Sequence, residues 1–167
     1  MSGSIPSRPT VLDATVLSNF AYLDRVPLLR NLDRPITTPT VRDEIASGTN
    51  TYPYLVNATE AFPEPIPVVE LDDESTELAE QFADRLDRGE AEALALAEHH
   101  RGLVVTDDGV GRKVARERTI QFTGSIGVLI EFVDNDHVAE STADSWLKRL
   151  IGEADYYAPS RELTDYR

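Results

Sequence analysis

Two aspartates stand directly after short apolar runs. Asp13 follows Thr10-Val11-Leu12, and Asp108, with Asp107 beside it, follows Leu103-Val104-Val105-Thr106. Two glutamates stand in helix-like segments: Glu44 in Thr38-Pro39-Thr40-Val41-Arg42-Asp43-Glu44-Ile45, and Glu90, with Glu92 two residues on, in Gly89-Glu90-Ala91-Glu92-Ala93-Leu94-Ala95-Leu96-Ala97. Carboxylates are hard oxygen donors, and Mg²⁺ is typically held by a few of them, with waters and substrate phosphates filling its shell. A cation held this way activates water and stabilises a leaving oxygen in phosphodiester hydrolysis. Each acid alone also has a plain structural explanation, because Asp is common at helix caps and acids favour helix N-termini. Asp43, three residues after Thr40, suits a capping box; Glu44 has no such role. The joint placing of Asp13 and Asp108 after buried strands singles that pair out.

The doublets leave a choice. Helical residues turn about 100° per position, so Glu90 and Glu92 point roughly 200° apart and cannot easily share one metal. Adjacent residues at a strand end face opposite ways, so Asp107 and Asp108 compete as well. Thr106 shares a face with Asp108 if the strand continues, which makes it a support for the site. His99, His100 and His137 show no ligand spacing and read as surface residues. Trp146 reads as core or as part of a dimer contact.

Alternating strands and helices must position these acids. Periodicity and breakers predict strands at 10–12, 35–38, 68–71, 103–106 and 120–122, and helices at 15–24, 27–32, 41–46, 75–87, 90–100, 111–118, 126–134 and 139–151. Gly48, Gly89 and Gly102 read as helix stops. Residues 50–62 fit neither pattern, and Pro63-Glu64-Pro65-Ile66-Pro67 reads as a rigid connector. The alternation predicts an α/β fold with a mainly parallel sheet covered on both faces. Sites in such sheets lie beyond the carboxyl ends of the strands.

Composition bounds the rest. The 167 residues suit one domain spanning 1–167, with 1–9 as a loose lead-in. The absence of cysteine excludes thiol catalysis, disulfides and Cys-type zinc sites, and fits a cytoplasmic protein. No apolar run approaches membrane length, and the first ten residues lack the apolar core of a secretion signal. Thirty acids against 16 bases give a net charge of −14, and only Lys113 and Lys148 are lysine. This balance resembles that of proteins from salt-loving archaea, where the Debye length falls to about 3 Å at 1 M salt. On that reading the acidity reflects habitat and does not exclude a nucleic-acid substrate.

The ordered motifs resemble the PIN-domain family. Leu12-Asp13-Ala14-Thr15-Val16-Leu17-Ser18 resembles its opening motif and Val41-Arg42-Asp43-Glu44-Ile45 its second. Gly89-Glu90-Ala91-Glu92 resembles the third in a subgroup related to VapC-type toxins, and Val105-Thr106-Asp107-Asp108 the fourth. Gly111-Arg112-Lys113-Val114-Ala115-Arg116 and Thr123-Gly124-Ser125-Ile126-Gly127 are similar to what that subgroup carries downstream. Most relatives have aspartate at the third motif, where this chain has glutamate. The resemblance implies a three-layer α/β/α sandwich and a Mg²⁺- or Mn²⁺-dependent endoribonuclease, often a homodimer. Many such relatives are toxins silenced by a small antitoxin protein. The family spacing selects Asp13, Glu44, Glu90 and Asp108 as catalytic metal ligands over Glu92 and Asp107.

Arg112, Lys113, Arg116 and Arg118 place four cations within seven residues just after Asp108. They suit RNA phosphates beside the metal, or else a solvated helix face. Two other functions compete. A phosphatase of the haloacid-dehalogenase type needs a second acid two residues after the first, where Thr15 stands. A PIN fold kept as an RNA- or partner-binding module would have weak nuclease activity or none.

Overall fold

The computed structural model describes residues 4–167. The part of the expected lead-in at residues 1–3 lies outside them; residues 7 and 8 are tied down, with Arg8 N–H donating to the His100 carbonyl and the Arg34 guanidinium to the Ser7 carbonyl.

Four short strands form one parallel sheet in the order β2-β1-β3-β4, where β1 is Thr10–Leu12, β2 Pro35–Ile36, β3 Leu103–Val105 and β4 Gln121–Thr123. The strands are continuous apolar runs because both faces are buried. Alternate side chains go opposite ways: Leu12 and Val105 join one core, Val11, Ile36 and Val104 the other. The first core is completed by α1 (Ala14–Tyr22), α2 (Pro39–Ser47), α3 (Val56–Thr59), α7 (Ser125–Asp134) and α8 (Glu140–Glu153). The second is completed by α4 (Asp73–Phe82), α5 (Arg88–His99) and α6 (Gly109–Arg118). This is the expected three-layer α/β/α arrangement. Trp146 is buried in the first core with the Arg25 guanidinium over its ring.

Several local expectations are corrected. The strand expected at 68–71 is a single bridge, Thr37 to Val68. Pro67 has no N–H to donate, so pairing is limited to Thr37 N–H to the Pro67 carbonyl and Val69 N–H to the Thr37 carbonyl. The ambiguous stretch 50–62 contains a 3₁₀ turn at Pro53–Leu55 running into α3. The helix expected through residue 87 stops at Phe82, and Asp87 instead caps α5. Gly89 does not end a helix; it lies in the first turn of α5, where a Cβ would press on Glu44 and Val41 of α2. At the far end of α5 the left-handed residue is Arg101 (φ 58°), while Gly102 is needed because a Cβ there would collide with the Pro9 backbone. Asp43 belongs to no capping box: Thr38 caps α2 by accepting from Val41 N–H, and Asp43 pairs with Arg42 in solvent.

The chain leaves β1 for β2 on one side and returns to β3 on the other. The carboxyl ends of β1 and β3 therefore form the topological switch point where ligands bind in such sheets.

Candidate active site

Asp13 and Asp108 both issue from that switch point. The ladder continues one step past β1, with Asp13 N–H donating to the Val105 carbonyl at 3.0 Å. This sets Asp13 level with Thr106, whose hydroxyl donates to Asp13 Oδ2 at 2.8 Å. The Thr15 hydroxyl donates to the same oxygen at 3.2 Å. Asp13 heads α1 but makes no side-chain cap, since its carboxylate is turned toward these threonines. Thr106 Oγ1 also accepts from Asp108 N–H at 3.1 Å, so one buried hydroxyl fixes both acids. Asp108 caps α6, its Oδ2 accepting from Gly111 N–H at 2.8 Å.

Helices bring further acids to the same edge. Asp87 caps α5 by accepting from Glu90 N–H at 3.0 Å. The first turn of α5 then buries Glu90 to 6 % exposure. Gly111 leaves room for Glu90 Oε1, where a Cβ would intrude on that oxygen and approach Asp108 Oδ2. Glu44, solvent-exposed on α2, points its Oε1 at Gly89, where an added Cβ would meet it at 3.1 Å and Asp87 Oδ1 at 3.8 Å. Asp87 was not among the residues singled out from the sequence. Its signal was the spacing Asp87-Arg88-Gly89-Glu90, an aspartate three residues before a buried helical acid.

The charges oppose one another. Burial, then Asp13 and Asp108, push the Glu90 carboxyl up to about 9. Burial also raises Asp13, against the lowering effect of its hydroxyl partners. Partial desolvation, then Asp87 and Asp13, raise Glu44. Among the described residues, no Lys or Arg pairs with Asp13, Glu44, Asp87, Glu90 or Asp108. Glu90 Oε1 is buried with no hydrogen-bond partner. An uncompensated buried acid with an orphaned oxygen fits a divalent cation. The fit is loose: no three of these carboxylates bring oxygens within 4.8 Å of one another. A Mg²⁺ shell holding one or two carboxylates and several waters tolerates such spacing.

A family profile described as "DUF3368: PIN domain" matches residues 9–166. The chain belongs to this PIN-domain family. The fold is similar to that of a chain in the structure of VapBC-1 from nontypeable Haemophilus influenzae, with a TM-score of 0.50 and 14 % identity over 70 % of this chain and 97 % of that one. No curated protein sequence matches the chain.

The other acid of each doublet in this PIN domain, Asp107 and Glu92, is engaged elsewhere. Asp107 accepts from Asn19 Nδ2 at 3.0 Å, Ser125 N–H at 2.9 Å, Ser125 Oγ at 2.5 Å and the Tyr156 hydroxyl at 3.1 Å. Four donors fill the roughly four acceptor positions of a carboxylate. Burial and Asp107 hold the Tyr156 phenol well above its usual range, so it stays a donor. Glu92 pairs with Arg88 one turn back, Nε to Oε2 at 3.2 Å. Beyond Asp107 opens a groove of ≈ 1010 Å³ whose lining includes Asn19, Arg112, Arg116 and Tyr157. Arg112 and Arg116 both stack over Phe122, at 5.1 and 5.2 Å from its ring centre. Lys113 is exposed and does not line the groove, and Arg118 is held by Glu98 at 2.7 Å.

Proposed function

We propose that this PIN domain is a Mg²⁺- or Mn²⁺-dependent endoribonuclease of the VapC toxin type. The observation that carries the proposal is the uncompensated carboxylate edge at the β1/β3 switch point, where Asp13 and Glu90 are buried and Glu90 Oε1 is orphaned. Asp13, Glu44, Glu90 and Asp108 form the edge that holds the cation, one or two of them directly and the others through its waters, and Asp87 adds negative charge nearby. Bound there, the cation supplies an activated water and stabilises charge on the cleaved phosphodiester. Thr106 keeps Asp13 and Asp108 oriented from one hydroxyl. Arg112 and Arg116, stiffened by Phe122, take backbone phosphates along the groove, and Lys113 adds charge at the helix surface. The test is cleavage of single-stranded RNA by the purified chain with Mn²⁺ or Mg²⁺ and after chelation. RNA that is bound but left intact with either metal would identify a binding module instead.

Charge reversal at Arg112 and Arg116 is expected to weaken RNA binding roughly 10–100-fold, the worth of two charged phosphate contacts. It should also reduce the salt slope of binding by about 1.4. Mn²⁺ affinity, read by calorimetry, should change far less. Unchanged RNA affinity would return these arginines to a solvated face.

The −14 charge supports origin in a salt-loving archaeon. Repulsion among so many acids is unscreened at low ionic strength. The melting temperature is therefore expected to rise by roughly 5 °C or more between about 0.05 M and 2 M KCl. A flat profile would count against the halophile reading. No helix among the described residues is long and apolar enough to cross a membrane; a cytoplasmic location goes with the ribonuclease reading, as the place where its RNA substrate is found. The likeness to a VapBC-1 chain supports a small antitoxin as partner, and membership of the PIN-domain family is the ground for a homodimer as the working state. Co-expression with the product of an adjacent small reading frame, followed by sizing of the complex, tests both.

A further inference from the structure

Asp72, His99 and His100 come together at the far edge of the sheet from the carboxylates. Helix α5 joins the two places: Glu90 sits in its first turn and His99 at its end, about 14 Å apart at 1.5 Å per residue. Neighbouring helical residues normally diverge by about 100°. Here the helix ends at His99, and His100 leaves it with φ −96° and ψ 8°. Both rings face the start of α4. His100 Nε2 lies 3.1 Å and His99 Nε2 3.5 Å from Asp72 Oδ2, with the rings nearly perpendicular.

Asp72 occupies the N-cap of α4 yet makes no side-chain cap bond, although an aspartate there ordinarily accepts from the helix N–H groups. Its carboxylate is committed to the imidazoles instead. Its Oδ1 is buried with no hydrogen-bond partner. The site therefore offers a partly desolvated carboxylate beside two imidazoles.

We propose that Asp72, His99 and His100 form a second metal site, for a transition-metal dication such as Zn²⁺, separate from the carboxylate centre. Among the described residues, this is the one set of three such side chains whose ligand atoms all lie within 4.8 Å of one another. Metal–ligand bonds of about 2.0–2.2 Å in a tetrahedron put ligand atoms roughly 3.4 Å apart. The two Asp72–imidazole separations, 3.1 and 3.5 Å, bracket that value. Imidazole nitrogen favours Zn²⁺ and its neighbours over Mg²⁺, which prefers oxygen. Two nitrogens, one carboxylate oxygen and an open fourth position complete a zinc-type set. The ion would clip the start of α4 to the end of α5.

The wild-type chain provides the first test. It has three histidines, so its imidazole NMR spectrum resolves three rings. Titration with Zn²⁺ should shift the signals of His99 and His100 and leave His137 in place. The second test uses an Asp13→Asn/Glu90→Gln background, which weakens the carboxylate centre. Calorimetry should show one Zn²⁺ per chain, with affinity falling more than about 100-fold on adding His99→Gln and His100→Gln, since even outer-shell losses cost 10–100-fold. Exposed His99→Gln alone is expected to fold and to weaken binding at least tenfold by the same reasoning. Rings unmoved at about 1 mM Zn²⁺, or affinity within about threefold in the histidine variants, would mean that Asp72 and the imidazoles form only a hydrogen-bonded clamp.

Discussion

Asp13→Asn is expected to lower RNA cleavage at least about 100-fold while the chain still folds, because a misheld cation forfeits several kcal/mol of transition-state stabilisation. Asparagine keeps an oxygen to accept from Thr106 and Thr15, so the local hydrogen bonds survive. What is lost is the ionised oxygen pair at the carboxyl end of β1. Burial and the nearby Asp87 already disfavour the Asp13 charge, so its removal relieves a desolvation cost and a repulsion. A thermal melt in EDTA should therefore match or exceed the wild type. Single-turnover cleavage and Mn²⁺ calorimetry on the same preparation separate chemistry from folding. A folded variant that cuts RNA at the wild-type rate would remove Asp13 from the site. Asp108→Asn should fall similarly, whereas Asp107→Asn should act through the groove: it disturbs four hydrogen bonds that hold Asn19, Ser125 and Tyr156.

The layered fold was legible in the sequence because strands buried on both faces leave uninterrupted apolar runs. Leu103-Val104-Val105 is such a run, and its residues do feed both cores. The 68–71 segment carries an equally apolar pattern but not the pairing. Its Pro67 lies at the edge beside β2, and pattern alone does not reveal which backbone N–H groups find partners. Helix ends were less legible for a related reason. Gly89 and Gly102 look alike as stops, yet each serves a close approach set by a distant element: α2 at Glu44 in one case, the Pro9 backbone in the other.

The acids of the candidate site were visible because each stands at the end of an element, where spacing along the chain predicts position. Asp87 was hidden inside a helix drawn too long. The surroundings of Asp107 were hidden more deeply: Asn19, Ser125 and Tyr156 lie 88, 18 and 49 positions away, and only the folded sheet edge assembles them. His99 and His100 show no ligand spacing along the chain because their partner, Asp72, stands 28 positions before His100. Only the fold brings the start of α4 against the end of α5 and so makes both rings neighbours of Asp72.

Glu90→Gln is expected to stabilise the metal-free protein at alkaline pH and to weaken metal binding. Glu90 titrates near 9 in the folded chain against about 4.5 when unfolded. Between those values the folded state keeps a proton that the unfolded state has released, so stability falls as pH rises through that window. Below about pH 4.5 the carboxyl is protonated in both states and contributes no slope. At pH 8 the ceiling on this loss is about 5 kcal/mol, and relaxation and water entry reduce it to the order of 2 kcal/mol. Glutamine carries no charge, so the variant should lose much less stability between pH 5 and pH 8 in EDTA. It should also be the more stable protein at pH 8. Saturating Mn²⁺ should reverse that order, because the cation stabilises the ionised wild type through binding linkage. Glu92→Gln is the control. Its pairing with the largely exposed Arg88 is worth about 0.5 kcal/mol or less, so the pH profile should stay close to wild type. Urea unfolding at pH 5 and pH 8, with EDTA and then with Mn²⁺, reads all three chains. A Glu90→Gln protein as pH-sensitive as the wild type, and weaker than it at pH 8 without metal, would show that the charge borne at the switch point does not reside on Glu90.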